Sequence, residues 1–233
     1  MSTRVQWLGH ACLLIESDGK RVLIDPFLTG NPMAAARPED VEADVILVSH
    51  GHEDHLGDTV AIAKRTGATV VATYELGNWL KGQGLTKVHG MQHGGGCQVD
   101  PAIHVKLTLA FHGSTLPGGG YGGNPCGFLI TFADGSRVYD AADTGLFGDM
   151  KLIGEEGIDL AILPIGDNFT MGPADALRAL KLLMPRKVLP IHYNTWDLIA
   201  QDATAWAEQV RGQRQAEPIV LKPGEWTDVI GKR

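Results

Sequence analysis

Six consecutive residues, His50-Gly51-His52-Glu53-Asp54-His55, set three imidazoles and two carboxylates directly behind the apolar run 45–48. Packing that many nitrogen and oxygen donors at the end of a buried segment is unfavourable unless a cation gathers them. Neutral imidazoles and carboxylates suit zinc, and also manganese or iron, and the lack of a thiolate in the stretch points to a catalytic rather than a structural ion. Read as extended chain, the segment directs His50, His52 and Asp54 to one side and His55 to the other, which fits two neighbouring metals better than one. Glu53 then faces solvent.

Four donors do not complete two coordination spheres, so other parts of the chain must contribute. Three polar residues stand where apolar runs end: His112 after 104–110, Asp143 after 137–140 and His192 after 187–190. His89 and His93 compete less well, since they lie in a glycine-rich stretch, and His104 begins its run instead of ending it.

The elements that must hold these donors are short. Runs 4–8, 12–16 and 21–25 read as antiparallel strands, the last two joined by Ser17-Asp18-Gly19-Lys20, whose Asp-Gly pair is a hairpin signal. Run 45–48 is continuously apolar, as in a strand covered on both faces. Asp58 or Thr59 caps a helix that continues to about 65 and stops at Gly67. A strand at 69–72 and a helix at 74–81 follow. Strands then recur at 87–89, 98–99, 104–110, 127–132 and 137–140, with Val105, Leu107, Leu109 and Phe111 alternating as one buried face. The last third mixes strands at 160–163, 187–190, 219–221 and 226–230 with a helix near 203–211. Another helix starts at Pro173, with Leu177, Leu180, Leu183 and Met184 as its apolar stripe. The glycine-rich tract 113–124 behind His112 reads as a pocket wall or a plain connecting loop. No composition shift marks a linker, so residues 1–233 are read as a single domain.

These residues carry a resemblance. The HxHxDH loop with His112, Asp143 and His192 in that order resembles the metallo-β-lactamase superfamily, and segments 9–12, 25–32, 143–150, 164–173 and 192–195 are similar to its metal-dependent hydrolase branch near ascorbate-phosphate lactonase-like proteins. The resemblance implies an α+β fold, a four-layer αββα sandwich with the metal site at one edge between the sheets. It assigns His50, His52 and His112 to a first metal and Asp54, His55 and His192 to a second, with Asp143 bridging. It also implies hydrolysis of a small ester, lactone or phosphodiester by a water activated between two divalent metal ions, zinc foremost, with Asp54 also orienting that water. Two divalent ions less two carboxylates and a hydroxide leave about one positive charge, which favours an anionic or carbonyl substrate. His10 and Asp25 fall at strand junctions and are candidates for bracing a ligand. Asp167, Asn168 and Asn194 are candidates for substrate contact. The competing readings are an iron-dependent oxidoreductase of the same fold and a metal-binding protein without catalysis. His52 stands where the di-iron redox branch has a carboxylate, which weighs against the first.

Composition bounds the rest. With 233 residues, 44% of them hydrophobic, the chain can bury a sizeable core. A formal charge of −7 with scattered lysines and arginines argues against a nucleic-acid surface. The N-terminal residues lack the pattern of a secretory signal, and no apolar run reaches the roughly 20 residues of a membrane span, so the expected setting is cytoplasmic. Cys12, Cys97 and Cys126 are too few and too far apart for a disulfide framework.

Overall fold

Strand after strand in this chain is apolar on both faces, and the computed structural model, which describes residues 2–230, shows why. One seven-stranded sheet contains β1 (Arg4–Gly9), β2 (Cys12–Ser17), β3 (Lys20–Ile24), β4 (Val45–Leu47), β5 (Thr69–Thr73), β6 (Val88–Met91) and the C-terminal β14 (Trp226–Asp228). The other contains β7 (Gly96–Asp100), β8 (Ile103–Leu109), β9 (Cys126–Phe132), β10 (Arg137–Asp140), β11 (Leu160–Pro164), β12 (Lys187–Ile191) and β13 (Glu217–Pro218). The first runs in the order β14-β1-β2-β3-β4-β5-β6 and the second in the order β13-β12-β11-β10-β9-β8-β7. In each sheet four strands pair in parallel (β3 to β6, β10 to β13) and the remainder antiparallel.

The sheets face each other, and helices cover their outer surfaces. Over the first sheet lie α2 (Thr59–Thr66) and α3 (Tyr74–Gly82). Against the second lie α4 (Met150–Gly154), α5 (Pro173–Leu183) and α6 (Ala203–Gln213), whereas the four-residue α1 (Glu53–Leu56) belongs to the histidine loop. This is the expected αββα sandwich. Strand β4 illustrates the logic: Val45 and Leu47 join the core between the sheets, while Ile46 and Val48 join the second core under the helices. Truncating Ile46 or Leu47 to alanine removes packing on one of these sides, at a cost of about 2 to 5 kcal/mol.

Several expectations shift. The Asp18-Gly19 turn is as anticipated, with both residues at positive φ. The alternation along β8 ends early, because the strand stops at Leu109, and Leu109 and Phe111 are 43% and 63% exposed. Met184 is not part of the α5 stripe. It sits in the left-handed position ending the helix and is exposed, whereas Leu177, Leu180 and Leu183 are buried. Residues 219–221 form no strand, the pairing there being made by Glu217–Pro218, and α4 had no sequence signal. All three cysteines are free, Cys12 and Cys126 in the core. No helix among the described residues is long and apolar enough to cross a membrane.

Candidate metal centre

The anticipated donors leave the C-terminal ends of strands that the topology brings to one edge of the sandwich. His50 to His55 follow β4, His112 follows β8, Asp143 follows β10 and His192 follows β12. Parallel strands end together, so residues far apart in sequence converge there. Backbone hydrogen bonds join the two sheets at this edge, His192 N to His10 O at 3.1 Å and Cys126 N to Ser49 O at 3.1 Å.

The histidine loop is not extended throughout, and the alternation expected for it does not hold. His52 has extended dihedrals and caps α1, with the amides of His55 and Leu56 donating to its carbonyl at 3.0 and 2.8 Å. A single helical turn follows, placing Asp54 beside His10 while the His55 ring stays against that of His50, their centroids 4.2 Å apart. Gly57 closes the turn at φ 41°, and any Cβ there would collide with the Pro26 carbonyl.

His50, His52 and His112 form the first group. His50 Nε2 lies 2.9 Å and His112 Nε2 3.3 Å from His52 Nδ1. Asp54, His55 and His192, with His10 beside them, form the second. Asp143 stands between, its Oδ2 3.0 Å from His192 Nε2, 3.3 Å from His55 Nε2 and 3.4 Å from His112 Nε2. All seven anticipated donors therefore meet, while His93 is turned away, 2.8 Å from the Pro125 carbonyl.

Their surroundings fix protonation. The Ser49 hydroxyl donates to Asp25 Oδ2 at 2.5 Å, so at 2.9 Å it accepts from His50 Nδ1 and leaves the His50 Nε2 lone pair facing its triad. Asp25 also accepts from Ser49 N at 2.8 Å and from His55 Nδ1 at 2.7 Å, directing His55 Nε2 inward. A carboxylate only accepts, so the 3.3 Å contact of His10 with Asp54 Oδ2 places a proton on His10 Nε2. Burial lowers the His10 pKa to about 4, so the ring is neutral and its Nδ1 accepts from Thr195 Oγ1 at 2.7 Å.

These residues fit a cation. His55 Nε2 and Asp143 Oδ1 are buried without a hydrogen-bond partner, which is costly unless something satisfies them. Burial, aided by the neighbouring His55 charge, holds His50 well below the ordinary histidine pKa, and burial also lowers that of His112, which favours the neutral rings that ligation requires. Burial also opposes charge on His55, yet Asp143 and Asp25 raise its pKa well above normal. Burial likewise opposes ionisation of Asp143 and Asp54. The neighbouring His192 and His55 hold Asp143 well below the usual carboxylate range, and His10 and His55 do the same for Asp54. The cluster therefore calls for positive charge at its centre.

The remaining candidates divide. His10 and Asp25 are buried and brace donors. Asp167, Asn168 and Asn194 are exposed turn residues at positive φ. The Asp167 carboxylate accepts from Asn168 N and the Asn194 side chain from Gln201 N, and none of the three lines the cavity. Asp58 occupies the position before α2, but its carboxylate does not cap the helix. It accepts from Leu28 N, Thr29 N and Thr29 Oγ1 and pins the 27–30 loop. Tract 113–124 braces the histidine loop, with Gly51 N donating to Ser114 Oγ at 3.1 Å, and is likewise absent from the cavity lining. A cavity of about 460 Å³ opens over His52, Asp54, His112, Asp143 and His192, and its other walls are Phe169, Trp196 and Leu198. No pattern in the sequence singled out those three side chains, because each comes from a short irregular stretch with no apolar period.

A two-sheet αββα sandwich with a His/Asp cluster at the edge where its sheets meet defines the class. The β-lactamase superfamily domain profile matches residues 4–192, and the chain belongs to that family. Among its relatives, a "UPF0173 metal-dependent hydrolase" from Pelotomaculum thermopropionicum is 53% identical over 227 residues, covering 95% of this chain and 98% of the relative. Another of that name from Desulforamulus reducens is 49% identical over 233 residues, covering 97% of this chain and all of the relative (100%). The solved structure of Igni18, a metallo hydrolase from the archaeon Ignicoccus hospitalis, superposes with a TM-score of 0.91 at 36% identity over 100% of both chains.

Proposed function

We propose that the protein is a metal-dependent hydrolase that works with two divalent metal ions, zinc foremost, on a small ester, lactone or phosphodiester. His50, His52 and His112 would hold one ion and Asp54, His55 and His192 the other, with Asp143 shared. The observation that carries this proposal is the position of Asp143 Oδ2, within 3.0 to 3.4 Å of histidines from both groups. Divalent metal in such a site supplies an activated water and polarises the scissile carbonyl or phosphoryl group.

The chain's own residues set the stage for that chemistry. Asp54 is ionised and lies on the cavity wall, with Oδ2 held by His10, so its other oxygen is available to orient the proton of the attacking water. Asp25 and Ser49 keep the rings of His55 and His50 in the tautomers that present Nε2 to the centre. The relatives named as metal-dependent hydrolases support the reaction class.

The test is metal content by mass spectrometry, followed by assays on bis-p-nitrophenyl phosphate, lactones and simple esters. About two metals per chain and metal-stimulated turnover of at least one substrate are expected. Fewer than one metal per chain, with no turnover, would sink the proposal.

A further inference from the structure

The cavity over the donor cluster has two unlike walls. One is the cluster itself. Phe169, Trp196 and Leu198 form the other, and among the described residues that line the cavity there is no lysine or arginine. The three apolar side chains remain 51%, 42% and 63% exposed. A scattered exposed apolar residue is ordinary, but three that converge on one concave space beside reactive donors form a recognition surface.

Each is held in place from below. Phe169 projects from a tight turn in which its amide and that of Thr170 both donate to the Asp167 carbonyl, at 2.5 and 3.3 Å. Leu198 sits in a 3₁₀ turn, Asp197–Ile199, whose neighbour Ile199 is fully buried. The Trp196 ring meets His10 edge-on at 5.0 Å and leans against Phe27 at 6.3 Å. The backbone that carries the wall, and the Trp196 ring, are therefore set in place before a ligand arrives.

From this we infer the class of substrate, resting on the hydrolase proposal above: a neutral carboxylic ester or lactone whose acyl or alkyl portion lies on Phe169, Trp196 and Leu198, and not a phosphodiester or a sugar phosphate. Phosphate recognition draws on guanidinium or ammonium donors around the non-reacting oxygens, and this cavity offers none beyond the cluster itself. An apolar chain gains by leaving water for the wall, on the order of threefold in affinity per methylene for a surface open on one side. At about 460 Å³ the space accommodates a drug-sized molecule.

The experiment uses zinc-loaded protein and two readouts. In calorimetric titrations with acetohydroxamate, butanohydroxamate, hexanohydroxamate and octanohydroxamate, affinity should rise about threefold per added methylene. The ratio of octano- to acetohydroxamate affinity should collapse at least about tenfold in the Phe169→Ala/Leu198→Ala double variant, whose fold is checked by its circular dichroism spectrum. In parallel, kcat/KM should rise from p-nitrophenyl acetate to the hexanoate and exceed that for bis-p-nitrophenyl phosphate. A flat hydroxamate series, a ratio unchanged by the double variant, or faster turnover of the phosphodiester than of the hexanoate overturns the inference. Failure of the hydrolase proposal reads differently: hydroxamates would still be sorted by length through Phe169 and Leu198 while no ester is turned over.

Discussion

The two groups of donors, set side by side at the same sheet edge, are built to different standards. In the group of Asp54, His55 and His192 two donors stand on further side chains: Asp25 holds His55, His10 holds Asp54, and Thr195 holds His10, whereas His192 has no such partner on its Nδ1 among the described residues. In the group of His50, His52 and His112, only His50 has such a partner, Ser49, while the rings of His52 and His112 hydrogen-bond within the triad and are partly exposed. Outer partners fix ring orientation and raise ligand basicity, and losing one typically costs about 10- to 100-fold in metal affinity. With two ions bound as proposed, the better-braced group should therefore keep its ion, and the more exposed group should exchange it.

That difference can be broken or sharpened by experiment. Asp143→Ala strikes both groups and has the largest expected effect, a loss of activity on the order of a thousandfold together with metal occupancy, since metal stabilisation of the transition state is worth several kcal/mol. Full retention of two metals by mass spectrometry would refute the shared position. Asp25→Ala removes the acceptor for His55 Nδ1, Ser49 N and Ser49 Oγ. It should weaken the braced group by about 10- to 100-fold and lower stability by about 1 to 3 kcal/mol for each group left orphaned, read by chelator competition and thermal melts. In the unmodified protein, chelator should release metal in two steps, the exposed group first; simultaneous release would mean that the outer partners do not set affinity. Thr195→Val deprives His10 of its donor and leaves Asp54 less firmly oriented. A fall in kcat of less than about tenfold, with metal content intact, is expected.

A separate effect, on stability and not on activity, concerns Asp140, which lies outside both groups. Burial, with Asp25 nearby, pushes its pKa up to about 8. The folded chain then keeps a proton that the unfolded chain releases near pH 4, so between about pH 4 and pH 8 this residue makes stability fall as pH rises. Asp140→Asn should flatten the dependence of Tm on pH over that window in chelator-treated protein. An unchanged slope would show that Asp140 is ionised in the fold.

Much of this arrangement was legible in the chain. Buried strands such as 45–48 declare themselves by unbroken apolarity, and His112, Asp143 and His192 by standing where such runs end. What failed was local: the period-two reading of the histidine loop missed α1, because a four-residue turn has no periodicity to detect. Leu109, Phe111 and Met184 continue the apolar pattern but lose the cover, because Leu109 is the last residue of β8, Phe111 lies two residues beyond it and Met184 one residue beyond α5. The apolar wall was invisible for a related reason. Phe169, Trp196 and Leu198 come from two loops, and only the tertiary fold gathers them. Asp167, Asn168 and Asn194 are near the donors in sequence, but all three occupy left-handed turn positions off the cavity, where the Asp167 carboxylate accepts from Asn168 N and the Asn194 side chain from Gln201 N.

The hydrogen bonds that join the sheets at this edge also bear on the order in which the molecule comes together. Neither triad is complete within one sheet: His50, His52, Asp54 and His55 follow a strand of the first, and His112, Asp143 and His192 follow strands of the second. A chain with undocked sheets presents only fragments of each site, so ion capture has to follow closure of the core. Once bound, the ion favours the closed form by mass action and holds the two halves shut at the edge where chemistry would occur.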